Sequence, residues 1–241
     1  MIYGCISDIG LVREKNQDSY LVVENKYGDF LAIVADGIGG GKAGEVASGE
    51  TIKYFNEIFK ESGPFEAIDD AIEFLNYHIE KVNKTVYELS LTNEDYHGMG
   101  TTLTGILINK NGNISLNVGD SRVYGFIDSK MFKLTTDHTL VNQMLEKGQI
   151  NYEESLNHPK RHYLVKAIGI FDYMRGDVHK VKDMDYYLVC SDGLHGYVSD
   201  EEITELINDE DKSVDDKVIE LKDTALLKGG YDNITVILIK K

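Results

Sequence analysis

Tryptophan is absent, and proline occurs only twice in 241 residues. No Pro- or Ser-rich stretch divides the chain, and 42% hydrophobic residues suffice for one substantial core, so a single domain over 1–241 is expected. Cysteine is equally scarce. Cys5 and Cys190 lie far apart, with no C-x-x-C pair and no secretory leader ahead of the first strand, which points to free thiols in a reducing cytoplasm. Neither opens a C-x-x-x-x-x-R loop, since the sixth residue beyond Cys5 is Leu11 and beyond Cys190 is Gly196. No apolar run approaches membrane-spanning length, so no membrane anchor is expected. Basic residues are few: 25 Lys and Arg face 41 Asp and Glu, for a net charge of −16 and no basic block. That balance argues against nucleic acid as a ligand.

Apolar runs that end in aspartate and glycine are what the chain does have. Leu31-Ala-Ile-Val-Ala reads as a buried strand, and Asp36-Gly37 closes it. A carboxylate fixed where a strand opens into a glycine turn has a defined direction and no flexible stem, as a metal ligand requires. Two other readings stand beside that one. Asp-Gly after a strand is a common turn pair, and Gly39, Gly41 and Gly44 fit the G-x-G-x-x-G of a dinucleotide site. A Rossmann unit needs a parallel strand soon after its helix, whereas the next strand-like run here begins near Thr101, after two helical patterns. A P-loop also fails, because Gly41-Lys42 is followed by Ala43.

Along the chain, Ile2 to Asp8 and Tyr20 to Glu24 read as strands around a polar loop that carries Arg13 and Asp18. Helical spacing runs from Ala43 to Phe59, and Ile68 to Leu89 makes a long helix with one apolar stripe that suits core packing. Antiparallel strands follow, with Asn111-Gly112 as a hairpin turn and Gly119-Asp120-Ser121-Arg122 before the strand Val123 to Ile127. Strands in runs after two helices indicate a layered α+β architecture. Asp137 is expected to cap a short helix through Leu145. Residues 146–175 show poor periodicity and read as an irregular, flap-like excursion bordering the substrate site. The run Tyr186 to Ser191 ends in Asp192-Gly193, repeating the Asp36-Gly37 arrangement. Ser199 with Glu202 makes a capping box, a helix spans Val214 to Leu227, and Asp232-Asn233 leads into the last strand.

Asp36, Asp120, Asp192 and Asp232 thus all stand at strand ends. Each alone suits a turn; together they are an oxygen-rich set that favours Mg²⁺ or Mn²⁺ over zinc or copper. Like charges about 4 Å apart repel by roughly 4 kcal/mol at an effective dielectric near 20, so carboxylates gathered in one pocket need cations to neutralise them.

The motif blocks resemble the metal-dependent PPM, or type 2C, serine/threonine phosphatase family in its compact bacterial form. They are Arg13-x-x-Asn-Gln-Asp18, Asp36-Gly-Ile-Gly-Gly, Gly98-Met-Gly-Thr-Thr, Gly119-Asp-Ser-Arg, Asp137-His138, Ser191-Asp-Gly and Gly230-Tyr-Asp232-Asn-Ile-Thr, in order over nearly the whole length. The resemblance implies a four-layer αββα sandwich: two antiparallel sheets flanked by helices. It implies that Asp36 bridges two ions, Mn²⁺ or Mg²⁺, with the Gly37 carbonyl on the second and Asp192 and Asp232 on the first. Asp18 would act through water, Asp120 with Asp192 would form a weaker third-metal position, and Arg13 would grip the substrate phosphate. Asp36 and Asp192 would then serve catalysis together with Arg13. Two cations about 3.5–4 Å apart would activate water for in-line attack on a phosphoryl group. The implied partners are phosphorylated proteins, a bacterial serine/threonine kinase among them, with the chain acting as a monomer. Two departures stand out: Gln17 replaces a common glutamate at the second metal, and Ile38 replaces a histidine proposed elsewhere in the family as general acid. The alternatives are a catalytically dead relative that binds phosphoproteins and, further off, a dinucleotide-dependent oxidoreductase.

Overall fold

The structure is a computed structural model and describes residues 1–38 and 43–241. Gly39, Gly40, Gly41 and Lys42, on which the dinucleotide and P-loop readings lean, lie outside the described residues.

The unbroken apolar run before Asp36 forms β3 (Phe30–Asp36), and it is apolar throughout because both of its faces are covered. Leu31 and Ile33 enter a cluster beneath two helices, whereas Phe30, Ala32 and Val34 enter a second cluster between two sheets. The first sheet has the order β2 (Asp18–Glu24), β3, β4 (Leu103–Asn109), β5 (Gly112–Val118), β8 (Asp177–Val181). The second has the order β1 (Ile2–Asp8), β10 (Ile234–Lys240), β9 (Tyr186–Cys190), β6 (Arg122–Ile127), β7 (Lys130–Lys133). Every pairing within them is antiparallel, including β3 with β4, which removes the parallel unit a Rossmann site needs.

Helices α1 (Gly44–Lys60) and α2 (Ile68–Ser90) cover the first sheet, with Phe55, Phe59, Leu75, Ile79, Val82 and Val86 buried against it. On the second sheet, α6 (Asp200–Asn208) and α7 (Val214–Leu227) bury Ile203, Ile207, Val218 and Leu221 over β10's Ile234, Val236 and Leu238. The opposite face of β10 sends Ile237 and Ile239 into the layer between the sheets. The expected αββα sandwich is what forms.

Local details depart from expectation. Asp137 does not cap α3 (Leu140–Glu146); the Thr139 hydroxyl does, accepting from the Asn142 N–H at 3.3 Å. Asp137 is held instead by Arg122 at 2.7 Å and Lys133 at 2.7 Å, an ion-pair cluster that outweighs a cap. Short strands β7 and β8 and two short helices, α4 (Tyr152–Leu156) and α5 (Asp192–His195), carry too few residues for periodicity to reveal them. The 146–175 segment is pinned at its far end by bridges from Leu164 to Thr139 and from Ile168 to Thr101.

Candidate active site and metal centre

The ends of β3, β5, β9 and the stretch before β10 meet at one edge of the sandwich. There Arg13, Asp36, Gly37, Asp120, Asp192 and Asp232 line one cleft of about 290 Å³, with Gln17, Ile38, Thr102, His162, Tyr197 and Asn233. Asp18 stands behind this wall, opposite Asp36 in the β2–β3 register and 8% exposed. It accepts a hydrogen bond from Ser191 Oγ at 2.7 Å through Oδ2, while its Oδ1 is buried with no partner.

Backbone and hydroxyl groups fix these carboxylates. The Asp36 N–H donates to Thr102 Oγ1 at 2.9 Å, and the Asp36 carbonyl accepts from Thr102 N at 2.8 Å and Thr101 Oγ1 at 2.9 Å. Gly37 is obligatory, because a Cβ there would collide with the Gly44 carbonyl oxygen. Asp120 follows Gly119, whose φ of 111° suits glycine. That turn is held from both sides: Asn117 Nδ2 donates to the Gly119 carbonyl at 3.1 Å, and the Gly119 N–H donates to His138 Nδ1 at 3.1 Å. The hydrogen of His138 therefore sits on Nε2, which faces Asp177 at 3.1 Å. His195 Nε2 donates to the Asp120 carbonyl at 3.0 Å, and burial pushes this imidazole down to about 3, keeping it neutral. Asp192 opens α5 directly after Ser191 rather than sitting in a turn.

Arg13 reaches across the mouth of the cleft. Its Nη2 donates to Asp232 Oδ2 at 2.7 Å and its Nε to the Tyr231 carbonyl at 3.3 Å. Gln17 donates through Nε2 to Glu45 at 3.0 Å, and Lys15 pairs with the same carboxylate at 2.6 Å. Asn233 was not singled out from sequence, although its place beside Asp232 in a motif block was the available signal. Its side chain accepts from Gln17 N at 2.8 Å and donates to the Ile9 and Lys15 carbonyls, both at 2.9 Å. It thereby clamps the loop that carries Arg13.

The electrostatics are those of crowded acids. Burial, then the charges of Asp18, Asp192, Asp120 and Asp232, hold the Asp36 carboxyl well above the usual carboxylate range. Burial, then Asp120, Asp232 and Asp18, do the same to Asp192. Burial drives Asp18 up to about 6, and burial with the charge of Asp137 drives Asp120 up to about 6. For Arg13, burial works against the charge, but the bond to Asp232 and the surrounding aspartates outweigh it and raise its pKa.

Among the described residues no three His, Cys, Asp or Glu side chains converge as a closed metal-holding group. The aspartates instead surround a space. An all-oxygen donor set, the partnerless buried Asp18 Oδ1 and the mutual repulsion together fit hard divalent cations.

A sequence profile of protein phosphatase 2C matches residues 12–222 of this chain. The chain belongs to the protein phosphatase 2C family. Among curated relatives of this family is the serine/threonine phosphatase stp of Listeria welshimeri, 34% identical over 237 residues, covering 98% of this chain and 94% of the relative. The protein phosphatase PhpP of Streptococcus pneumoniae is 34% identical over 241 residues, covering 99% and 97%. Among solved structures, the serine/threonine phosphatase Stp1 from Staphylococcus aureus superposes with a TM-score of 0.94 at 33% identity, covering 99% of this chain and 94% of that one. The family, fold and enzyme class expected from the 2C-type motif blocks are those of these proteins, and the 2C family is metal-dependent in general.

Proposed function

We propose that this 2C-family chain hydrolyses phosphoserine and phosphothreonine in proteins, using Mn²⁺ or Mg²⁺ held in the aspartate cleft. One observation carries the reading: a guanidinium and four mutually repelling aspartates from distant parts of the chain line the same small cleft. Asp36, with the Gly37 carbonyl, Asp192 and Asp232, would hold two ions. Asp18 would order their water from behind, and Asp120 with Asp192 would take a weaker third. When bound, such ions lower the pKa of a water molecule and offset charge on phosphoryl oxygens during in-line attack.

The chain's own residues complete the chemistry. Arg13 at the mouth offers a planar fork that matches two phosphoryl oxygens and holds the substrate against the acids. The Thr101 and Thr102 hydroxyls and the Asn117–Gly119 contact keep Asp36 and Asp120 from drifting as charge changes around them. Residues 146–175 form one wall and act as a flap over a neighbouring cleft of about 330 Å³ that shares Asp120, His162 and Asp192 with the first. Residues 1–241 work as one unit, since β1 and β10 from opposite ends of the chain pair and bring Asp232 beside Arg13. The physiological setting is cytoplasmic, with the chain acting as a monomer on phosphoproteins and opposing a serine/threonine kinase. Among the described residues no helix is long and apolar enough to cross a membrane.

The test is hydrolysis of p-nitrophenyl phosphate by the metal-stripped chain. Added Mn²⁺ should restore a rate that a chelator abolishes, and Asp192→Ala should lower it by about 10²-fold or more. Activity that survives both chelator and substitution would overturn the reading.

A further inference from the structure

A phosphothreonine side chain leaves as an alkoxide, a far more basic group than the phenolates used in assays, so its departure needs a proton donor within reach. Ile38 lines the cleft and has no proton to give. Among the described residues, the cleft lining contains one imidazole, that of His162, which shares the lining with Leu164, Arg13, Asp36, Asp192 and Asp232. The other nearby histidines are committed. His195 is buried with Nε2 on the Asp120 carbonyl, and His138 is buried between the Gly119 N–H and Asp177. Tyr197 also lines the cleft, but burial raises its phenol further above the neutral range, which makes it the weaker acid. His162 is exposed, lies on the flap-like segment and borders both the aspartate cleft and its 330 Å³ neighbour, where the rest of a phosphopeptide would lie.

We propose that His162 is the general acid that protonates the leaving serine or threonine oxygen, a role that rests on the phosphatase reading above. In the step, a water oxygen forms the new bond to phosphorus while the bond from phosphorus to the side-chain oxygen breaks. The electron pair of that bond goes to the side-chain oxygen, which takes the imidazolium proton. The attacking water gives up one proton to solvent, the products are the free hydroxyl and hydrogen phosphate, and the imidazole recovers its proton from solvent. Burial, then the charge of Arg161 beside it, hold this ring's pKa below its ordinary value, and Asp232 acts against them. An arriving phosphoryl dianion adds to the Asp232 side.

The experiment compares wild type and His162→Gln, both with saturating Mn²⁺, on a series of substituted phenyl phosphates and on a phosphothreonine peptide. The loss in kcat should grow with the basicity of the leaving group, being at least tenfold larger on the peptide than on p-nitrophenyl phosphate and steepening the slope of log kcat against leaving-group pKa. His162→Gly should regain peptide turnover on addition of imidazole. A uniform loss across the series, or a change confined to the peptide's KM with an unaltered slope and no imidazole rescue, would overturn the role while leaving the phosphatase reading intact. A wild type that hydrolyses neither kind of substrate would overturn both.

Discussion

At the scale of single residues, the proposed function divides the cleft into aspartates that hold charge and an arginine that meets substrate. Arg13 is half-exposed and bonded to only one of the aspartates, so under the proposed role its removal takes away phosphate affinity while the acids stay in place. Arg13→Ala is expected to weaken inorganic phosphate binding by about tenfold or more, as loss of a charge-assisted pair predicts, and to change Mn²⁺ binding less. Calorimetric titration of each ligand decides this, and the reverse order would contradict the assigned role. Aspartates at strand ends were legible one by one because Asp-Gly after an apolar run is a local pattern. What was not legible is that Arg13 pairs with Asp232, since a contact spanning 219 positions leaves no trace in local spacing.

Among elements, the long ones were readable because each buries a regular face. The strand Ile2–Asp8 and the helix Val214–Leu227 form with the boundaries read from sequence, and the Ser199–Glu202 capping box is made. The misreadings fall where a few residues answer to tertiary partners: Asp137 forgoes a cap for Arg122 and Lys133, and α4 and α5 are too short to show a period. The loop before β2 is a similar case, because Asn233 orders it from the far end of the chain. Asn233→Ala would leave two carbonyls and an N–H without partners in a largely buried place. It is expected to cost about 2–3 kcal/mol in urea unfolding and to lower turnover through misplacement of Arg13. An unchanged midpoint would show that the loop holds its own shape.

For the whole molecule, the −16 charge is more than a solvated surface, since part of it converges on one cleft where the acids repel each other. A carboxyl whose folded pKa lies above its ordinary 3.8 binds more protons folded than unfolded. The stability it adds is therefore complete in acid and is lost as the pH rises through about 6 for Asp18 and Asp120, and through their own raised values for Asp36 and Asp192. His195, pushed down to about 3, acts in the opposite sense below its ordinary range. The aspartate contribution is isolated by comparison with Asp36→Asn, which in metal-free form should be more stable than wild type by about 1–2 kcal/mol at pH 7.5, with the gap narrowing toward pH 5. Thermal melts across that range check it, and a gap that widens in acid would contradict it. The most direct test of the account is calorimetric titration of Mn²⁺ into the metal-free chain at pH 6, in buffers of different ionisation enthalpy. Binding of two ions with release of protons from the aspartates, abolished or severely weakened in Asp36→Asn, is the predicted result. No binding heat, or the same isotherm in both chains, would contradict it.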